Sequence, residues 1–164
     1  MSNTEYLTAT MTVDNTPDEV FAAITNVRGW WSKNLIGDSA ELHDEFVFTD
    51  DVAYAGETRK EKQGIPFARF RITEVVPGRR MVWHVVDSDL TFVDDRDEWT
   101  DTTVVFDITA GSDDTTLHFT HEGLTEVESE CFKECSRGWK FYITQSLPQL
   151  IITGTGQPMP KYDA

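Results

Sequence analysis

Residues 68–86, ARFRITEVVPGRRMVWHVV, carry the pattern from which the fold is read. Ala68, Phe70 and Ile72 alternate with Arg69, Arg71 and Thr73; beyond Pro77-Gly78, Met81, Trp83 and Val85 alternate with Val82, His84 and Val86. A period of two residues belongs to a strand with one face on a core, and Pro-Gly is turn chemistry. The stretch is therefore two antiparallel strands joined by a tight turn. The same signals continue on both sides. Ala55-Gly56, Gly64-Ile65-Pro66 and Gly111-Ser112-Asp113-Asp114 read as turns, with Val104, Phe106 and Ile108, then Leu117 and Phe119, as further inward sets. From about Glu41 to His121 the chain reads as an antiparallel meander, which curves because sheets twist.

Toward the N-terminus, Leu7, Ala9, Met11 and Val13 alternate with Tyr6, Thr8, Thr10 and Thr12, giving one more half-buried strand. Thr16-Pro17-Asp18-Glu19 combines a capping box with proline at the first helical position, so a helix starts at Thr16. Val20, Ile24, Val27 and Trp31 follow at helical spacing, and Gly29 is expected to break or bend that segment before Trp30-Trp31. Toward the C-terminus, Thr125-Glu126-Val127-Glu128 repeats the capping pattern and opens the longest helical stretch, to about Ile152 before Gly154. Phe132, Trp139, Ile143 and Leu150 share one face of it, with Cys135 and Tyr142 at the edge. Pro148 predicts a kink or a loosened turn there. The expectation is an α+β domain over residues 1–154: six or seven antiparallel strands curved around one long C-terminal helix, with two short helices after the first strand. Residues 155–164 are expected to form a flexible tail.

The residues just quoted carry a resemblance. The early strand followed by Thr16-Pro17-Asp18-Glu19-Val20-Phe21-Ala22-Ala23-Ile24, then Trp30-Trp31-Ser32, then Arg71 to Trp83, then Gly138-Trp139, resembles in order and spacing the helix-grip (START-like, SRPBCC) superfamily. That group includes the START lipid-transfer domains and birch-pollen-allergen-like proteins. Within it the chain looks most like bacterial relatives of the C-terminal domain of the activator of the heat-shock chaperone's ATPase, over about residues 4 to 154. Pro148 departs from the unbroken last helix of that family. The resemblance implies a helix-grip fold and a pocket between sheet and helix. It implies no catalytic residue, because one fold hosts carriers, receptors, cyclases and cochaperone domains.

Composition narrows the classes. A formal charge of −15 opposes attraction to phosphate backbones and anionic lipid, so nucleic acid is excluded as a partner. No apolar run approaches the roughly 18 residues of a membrane span and no leader pattern opens the chain, which reads as cytoplasmic. Cys131 and Cys135, four apart, read as reduced thiols, since a disulfide within one helical turn is awkward. No cofactor fingerprint and no metal-ligand spacing is present; His118 and His121, three apart in a strand, face opposite sides. Nucleophile-elbow chemistry is absent as well.

Five tryptophans and ten phenylalanines are a heavy aromatic load for so polar a chain, and they serve either an ordinary core or the lining of a cavity. The ligand-binding candidates are Trp31, Phe46, Phe70, Trp83, Trp99, Phe106, Phe119, Trp139 and Tyr142, with His121, which shares parity with Leu117 and Phe119. Arg69, Arg71 and Glu57 are candidate polar anchors at the rim. Pockets that combine apolar walls with a few polar groups take small hydrophobic or amphipathic molecules, which is the first expectation. A chaperone-associated interaction role, stimulating an ATPase, is the alternative that the resemblance implies. A cyclase- or dehydratase-type enzyme using His121 or Tyr142 as acid or base is the third. Monomer and homodimer both remain open, an exposed Trp99 being one seed for a dimer.

Overall fold

Strict alternation opens the molecule as β1 (Tyr6–Val13), with Leu7, Ala9, Met11 and Val13 buried and the intervening side chains exposed. The structure is a computed structural model that describes residues 6–33, 35–49, 67–89, 99–125 and 132–158. The capping box forms as the sequence specifies: Glu19 N donates to Thr16 Oγ1, and Thr16 N donates to the Glu19 carboxylate at 2.9 Å. It starts α1 (Pro17–Thr25), whose Val20 and Ile24 are buried.

The break between the two short helices falls at Asn26 (φ −90°, ψ 65°), and Gly29 lies inside α2 (Val27–Trp30). The expectation that Gly29 interrupts the helix is corrected. What glycine supplies there is space: a Cβ would meet the Asn26 side chain at 2.5 Å and Leu150 Cδ2 at 3.0 Å. Its missing side chain lets the C-terminal helix come close.

Among the described residues six further strands complete one antiparallel sheet: β2 (Leu35–Gly37), β3 (Glu45–Thr49), β4 (Phe67–Val76), β5 (Arg80–Asp89), β6 (Thr103–Ala110) and β7 (Thr115–Thr125). Their order is β1-β7-β6-β5-β4-β3-β2, so strands consecutive from β2 to β7 pair as neighbours and β1 closes the far side on β7. The turn at Pro77-Gly78 has Gly78 at φ 75°, a region where glycine carries no Cβ penalty. The β2 edge is short, and Arg28 donates to both Leu35 O and Gly37 O at 2.9 Å, which occupies carbonyls that an edge strand otherwise leaves open.

The last helix is composite. It runs as α3 (Phe132–Phe141), a π-helical turn (Tyr142–Ser146) and α4 (Leu147–Thr153), closed by Gly154 in the left-handed conformation. Leu147 N donates to Tyr142 O, five residues back. The wider turn sits directly before Pro148, whose ring cannot share space with the carbonyl of the preceding turn, and this is the loosened turn expected there. It also shifts the inward face. Trp139 and Ile143 are buried as expected, but Ser146 and Leu147 follow them into the interior, while Leu150 is only half-buried.

After Gly154 the chain is tied back at Gln157. Gln157 N donates to Ser146 Oγ at 2.7 Å, and Ser146 Oγ donates to Trp30 O at 2.7 Å. Gly156 lies so near α2 that a Cβ would stand 2.5 Å from Gly29 O. Residues 159–164, the turns at 55–56 and 64–66, and the capping pattern at 126–128 lie outside the described residues.

Candidate functional site

The inner face of the sheet is built by register. Phe46 stands opposite Phe70, Ile72 opposite Trp83, Trp83 opposite Val104, and Phe106 opposite both Met81 and Phe119. Because side chains alternate across each strand, this pairing brings inward-facing residues of five strands, β3 to β7, onto one surface. Trp83 lies at its centre, with ring centroids 4.7 Å from Phe106, 4.9 Å from Phe46 and 5.4 Å from Phe70, all close to edge-to-face. Such geometry sets the positive ring edge on the negative face of a neighbour.

The helices add the opposite wall. Trp31, which follows α2, stacks on Phe48 at 4.3 Å and 7°, and lies 4.7 Å from Trp139 of α3. Trp139 in turn lies 4.6 Å from Phe119. Of the ten residues expected to line a pocket, nine are buried and belong to this one assembly of rings; Tyr142 stays half-buried at its margin. Trp99 is 6% exposed, so it offers no exposed seed for a dimer, and that expectation is corrected. Arg69 and Arg71 point from β4 to the outer face and pair there with Glu45 at 3.9 and 3.4 Å, far from any rim role; strand parity with buried Phe70 dictates it. Glu57, Cys131 and the side chain of Cys135 lie outside the described residues.

Trp30, Phe48 and Thr102 were not singled out from the sequence. Trp30 is fully buried because α2 is enclosed by both sheet and last helix, so two adjacent tryptophans turn inward where helical spacing favours one. Its indole donates to Ile24 O at 3.2 Å. Nothing in the sequence marks Thr102, the last residue of the β5–β6 connection.

Thr102 takes part in a buried polar chain through His121. Trp139 Nε1 donates to His121 Nδ1 at 3.2 Å, which fixes Nδ1 as the bare acceptor and puts the ring proton on Nε2. His121 Nε2 then donates to Thr102 Oγ1 at 2.8 Å, and Thr102 Oγ1 donates to Trp99 O. Each donor has one acceptor, and the chain links the helix, β7 and the β5–β6 connection. Burial holds His121 at a pKa of about 3, far below its ordinary 6.5, so the ring is neutral. Gly123, at φ 107°, lets Thr102 pack closely, since a Cβ there would meet Thr102 Cγ2 at 2.7 Å. A general base needs a free lone pair, and that of His121 is occupied; the acid–base role expected of it is not supported by this geometry.

Trp83 Nε1 and Trp99 Nε1 are buried and have no hydrogen-bond partner among the described residues. Both indoles flank Phe70, at centroid distances of 5.4 and 6.3 Å. Among the described residues no group of three or more His, Cys, Asp or Glu gathers at metal-binding distance, and no helix is long and apolar enough to cross a membrane. A separate open groove lies beyond the start of α1, between Pro17-Asp18, Pro77 to Arg79 and Ile108 to Ala110. It contains none of the expected residues.

Comparison with known proteins follows the same lines. The family described as Activator of Hsp90 ATPase homolog 1-like protein matches residues 14–151. No curated protein matches the chain. Among solved structures, the Aha1 dimer of Colwellia psychrerythraea superposes with a TM-score of 0.66 at 18% identity, over 93% of this chain and 99% of that one. DynU16, from the dynemicin biosynthetic locus, gives 0.64 at 15% identity over 97% of this chain and 52% of that one. A Staphylococcus saprophyticus protein gives 0.62 at 12% identity, over 94% and 99%. Identities this low establish a common fold.

Proposed function

This chain belongs to the Activator of Hsp90 ATPase homolog 1-like family, and from that premise we propose that it binds a small hydrophobic or amphipathic molecule between its curved sheet and its C-terminal helix. The observation that carries the reading is the pair of indole donors without a partner among the described residues, Trp83 Nε1 and Trp99 Nε1, in an interior where His121, Trp139, Thr102 and Trp30 all have partners. A buried donor left without an acceptor costs about 1–3 kcal/mol, so two in one assembly favour a solute that brings an acceptor with it. Aromatic walls with a few polar groups are the usual lining of small-molecule sites. A chaperone-stimulating role draws its support from the family description alone and ranks second.

The test is native mass spectrometry of the purified protein after incubation with a lipid and metabolite extract, alongside a thermal-shift screen. A ligand that binds only the folded state raises the melting temperature with concentration. Retained ligand together with such a rise supports the proposal. Repeated absence of both removes it.

A further inference from the structure

The charge character of the interior narrows the ligand further, and this step rests on the binding reading above. We propose that the site takes an uncharged, flat molecule bearing a neutral hydrogen-bond acceptor, such as a ketone carbonyl, and rejects carboxylates.

An anion drawn out of water needs a cation or several strong donors, because the bare desolvation of a carboxylate exceeds what neutral contacts return. The described interior offers no cation. Its buried polar side chains are serines, threonines and His121, and every arginine and lysine whose side chain is described is at least partly exposed. His121 is the only buried titratable group among them, and it is held neutral: Nδ1 is filled by the Trp139 N–H and the Nε2 proton is given to Thr102. Turning it into a cation would require breaking the Trp139 bond, since a second ring proton would face a donor. The groups around it, Thr102, Trp99 and Trp139, do not titrate near neutral pH. A net charge of −15 adds long-range repulsion against any anion approaching the molecule.

What remains for recognition is the pair of neutral donors and flat apolar faces. Indole N–H groups suit a carbonyl or ether oxygen, which gains a hydrogen bond at a small desolvation penalty. The indoles also lie in near-parallel pairs, Trp31 with Trp83 and Trp99 with Trp139, each pair 15° from coplanar orientation. Planar rings stack offset on such faces, whereas a flexible alkyl chain loses rotamer freedom there without matching them.

Three probes on one skeleton separate the terms: 2-acetylnaphthalene supplies a neutral acceptor, 2-ethylnaphthalene has none, and 2-naphthoate carries the acceptor as an anion. Affinities near neutral pH are measured by calorimetry for the wild type and for Trp83→Phe and Trp99→Phe, which keep a ring and remove the donor. The ketone is expected to bind ~2–10-fold more tightly than the hydrocarbon, the margin of a neutral hydrogen bond, and naphthoate at least ~10-fold more weakly than the ketone. Each Phe variant is expected to bring the ketone down toward the hydrocarbon while the hydrocarbon's affinity stays put, which also reports that the variant is folded. Should one variant fail to fold, the other and the wild-type probe ranking still decide. Naphthoate binding as well as the ketone, or a ketone no better than the hydrocarbon, overturns the ligand class and leaves the binding reading standing. Binding of none of the three overturns both.

Discussion

Thr102 is the residue through which three parts of the chain share a single run of hydrogen bonds, since its hydroxyl accepts from His121 and donates to Trp99 O. Thr102→Val keeps the shape and strands both partners in a buried setting. We expect a loss of about 1–3 kcal/mol, read from urea unfolding as a lower midpoint with unchanged slope. The neighbouring ring sets a pH dependence. The unfolded chain takes a proton on His121 near pH 6.5 and the folded chain only near pH 3, so below about 6.5 the unfolded state binds more protons and stability falls with falling pH. The slope fades out over about one pH unit above that value; between pH 6.5 and 5, before most carboxylates titrate, it grows from about half of the one-proton limit toward that limit of about 1.4 kcal/mol per pH unit. His121→Gln should abolish it; an unchanged slope in that variant would place the acid sensitivity elsewhere.

Among the elements, the composite last helix shows how much was legible and where legibility ended. Two glycines test its packing in opposite directions. Gly138, inside α3, has nothing within 4 Å of where a Cβ would stand, so Gly138→Ala should stabilise by about 0.5–1 kcal/mol through helix propensity. A Cβ on Gly156 would stand 2.5 Å from Gly29 O, so backbone is in the way and Gly156→Ala should destabilise by about 1–3 kcal/mol; calorimetric melting of both variants gives the comparison. The strands of the meander and the capped first helix could be read directly, because alternation and the Thr16–Glu19 box are local signals that the packing reinforces. The π-helical turn was visible only as a disturbance at Pro148. Its consequence, that Ser146 turns inward and joins Trp30 to Gln157, depends on the altered phase of the helix and has no sequence mark. Gly29 was misread for a similar reason: its role lies in an approach by Leu150 and Gly156, more than a hundred residues away. Of the candidate site, strand parity pointed Phe70, Trp83, Phe106, Phe119 and His121 inward, and helical spacing did so for Trp31 and Trp139. The Thr102 link and the second inward tryptophan, Trp30, needed the tertiary arrangement.

At the scale of the whole molecule, 29 acidic against 14 basic side chains leave a surface that repels itself. Screening shortens that repulsion to about 8 Å at physiological ionic strength. The melting temperature should therefore rise as sodium chloride goes from a few millimolar to physiological strength; a flat or falling curve would mean that local pairs such as Arg80 with Asp107 outweigh the net field. The core beneath this surface has an optical consequence. All five tryptophans are buried, and they form one connected series: Trp30 lies 6.3 Å from Trp31, Trp31 6.1 Å from Trp83 and 4.7 Å from Trp139, and Trp139 6.0 Å from Trp99. Indoles this close exchange excitation faster than they emit, so the chain has in effect one shared chromophore instead of five. Its near-ultraviolet dichroism should carry the paired bands of coupled oscillators, and light absorbed by any tryptophan reports on a disturbance at every other. An unlabelled molecule thus has a built-in gauge of its own interior.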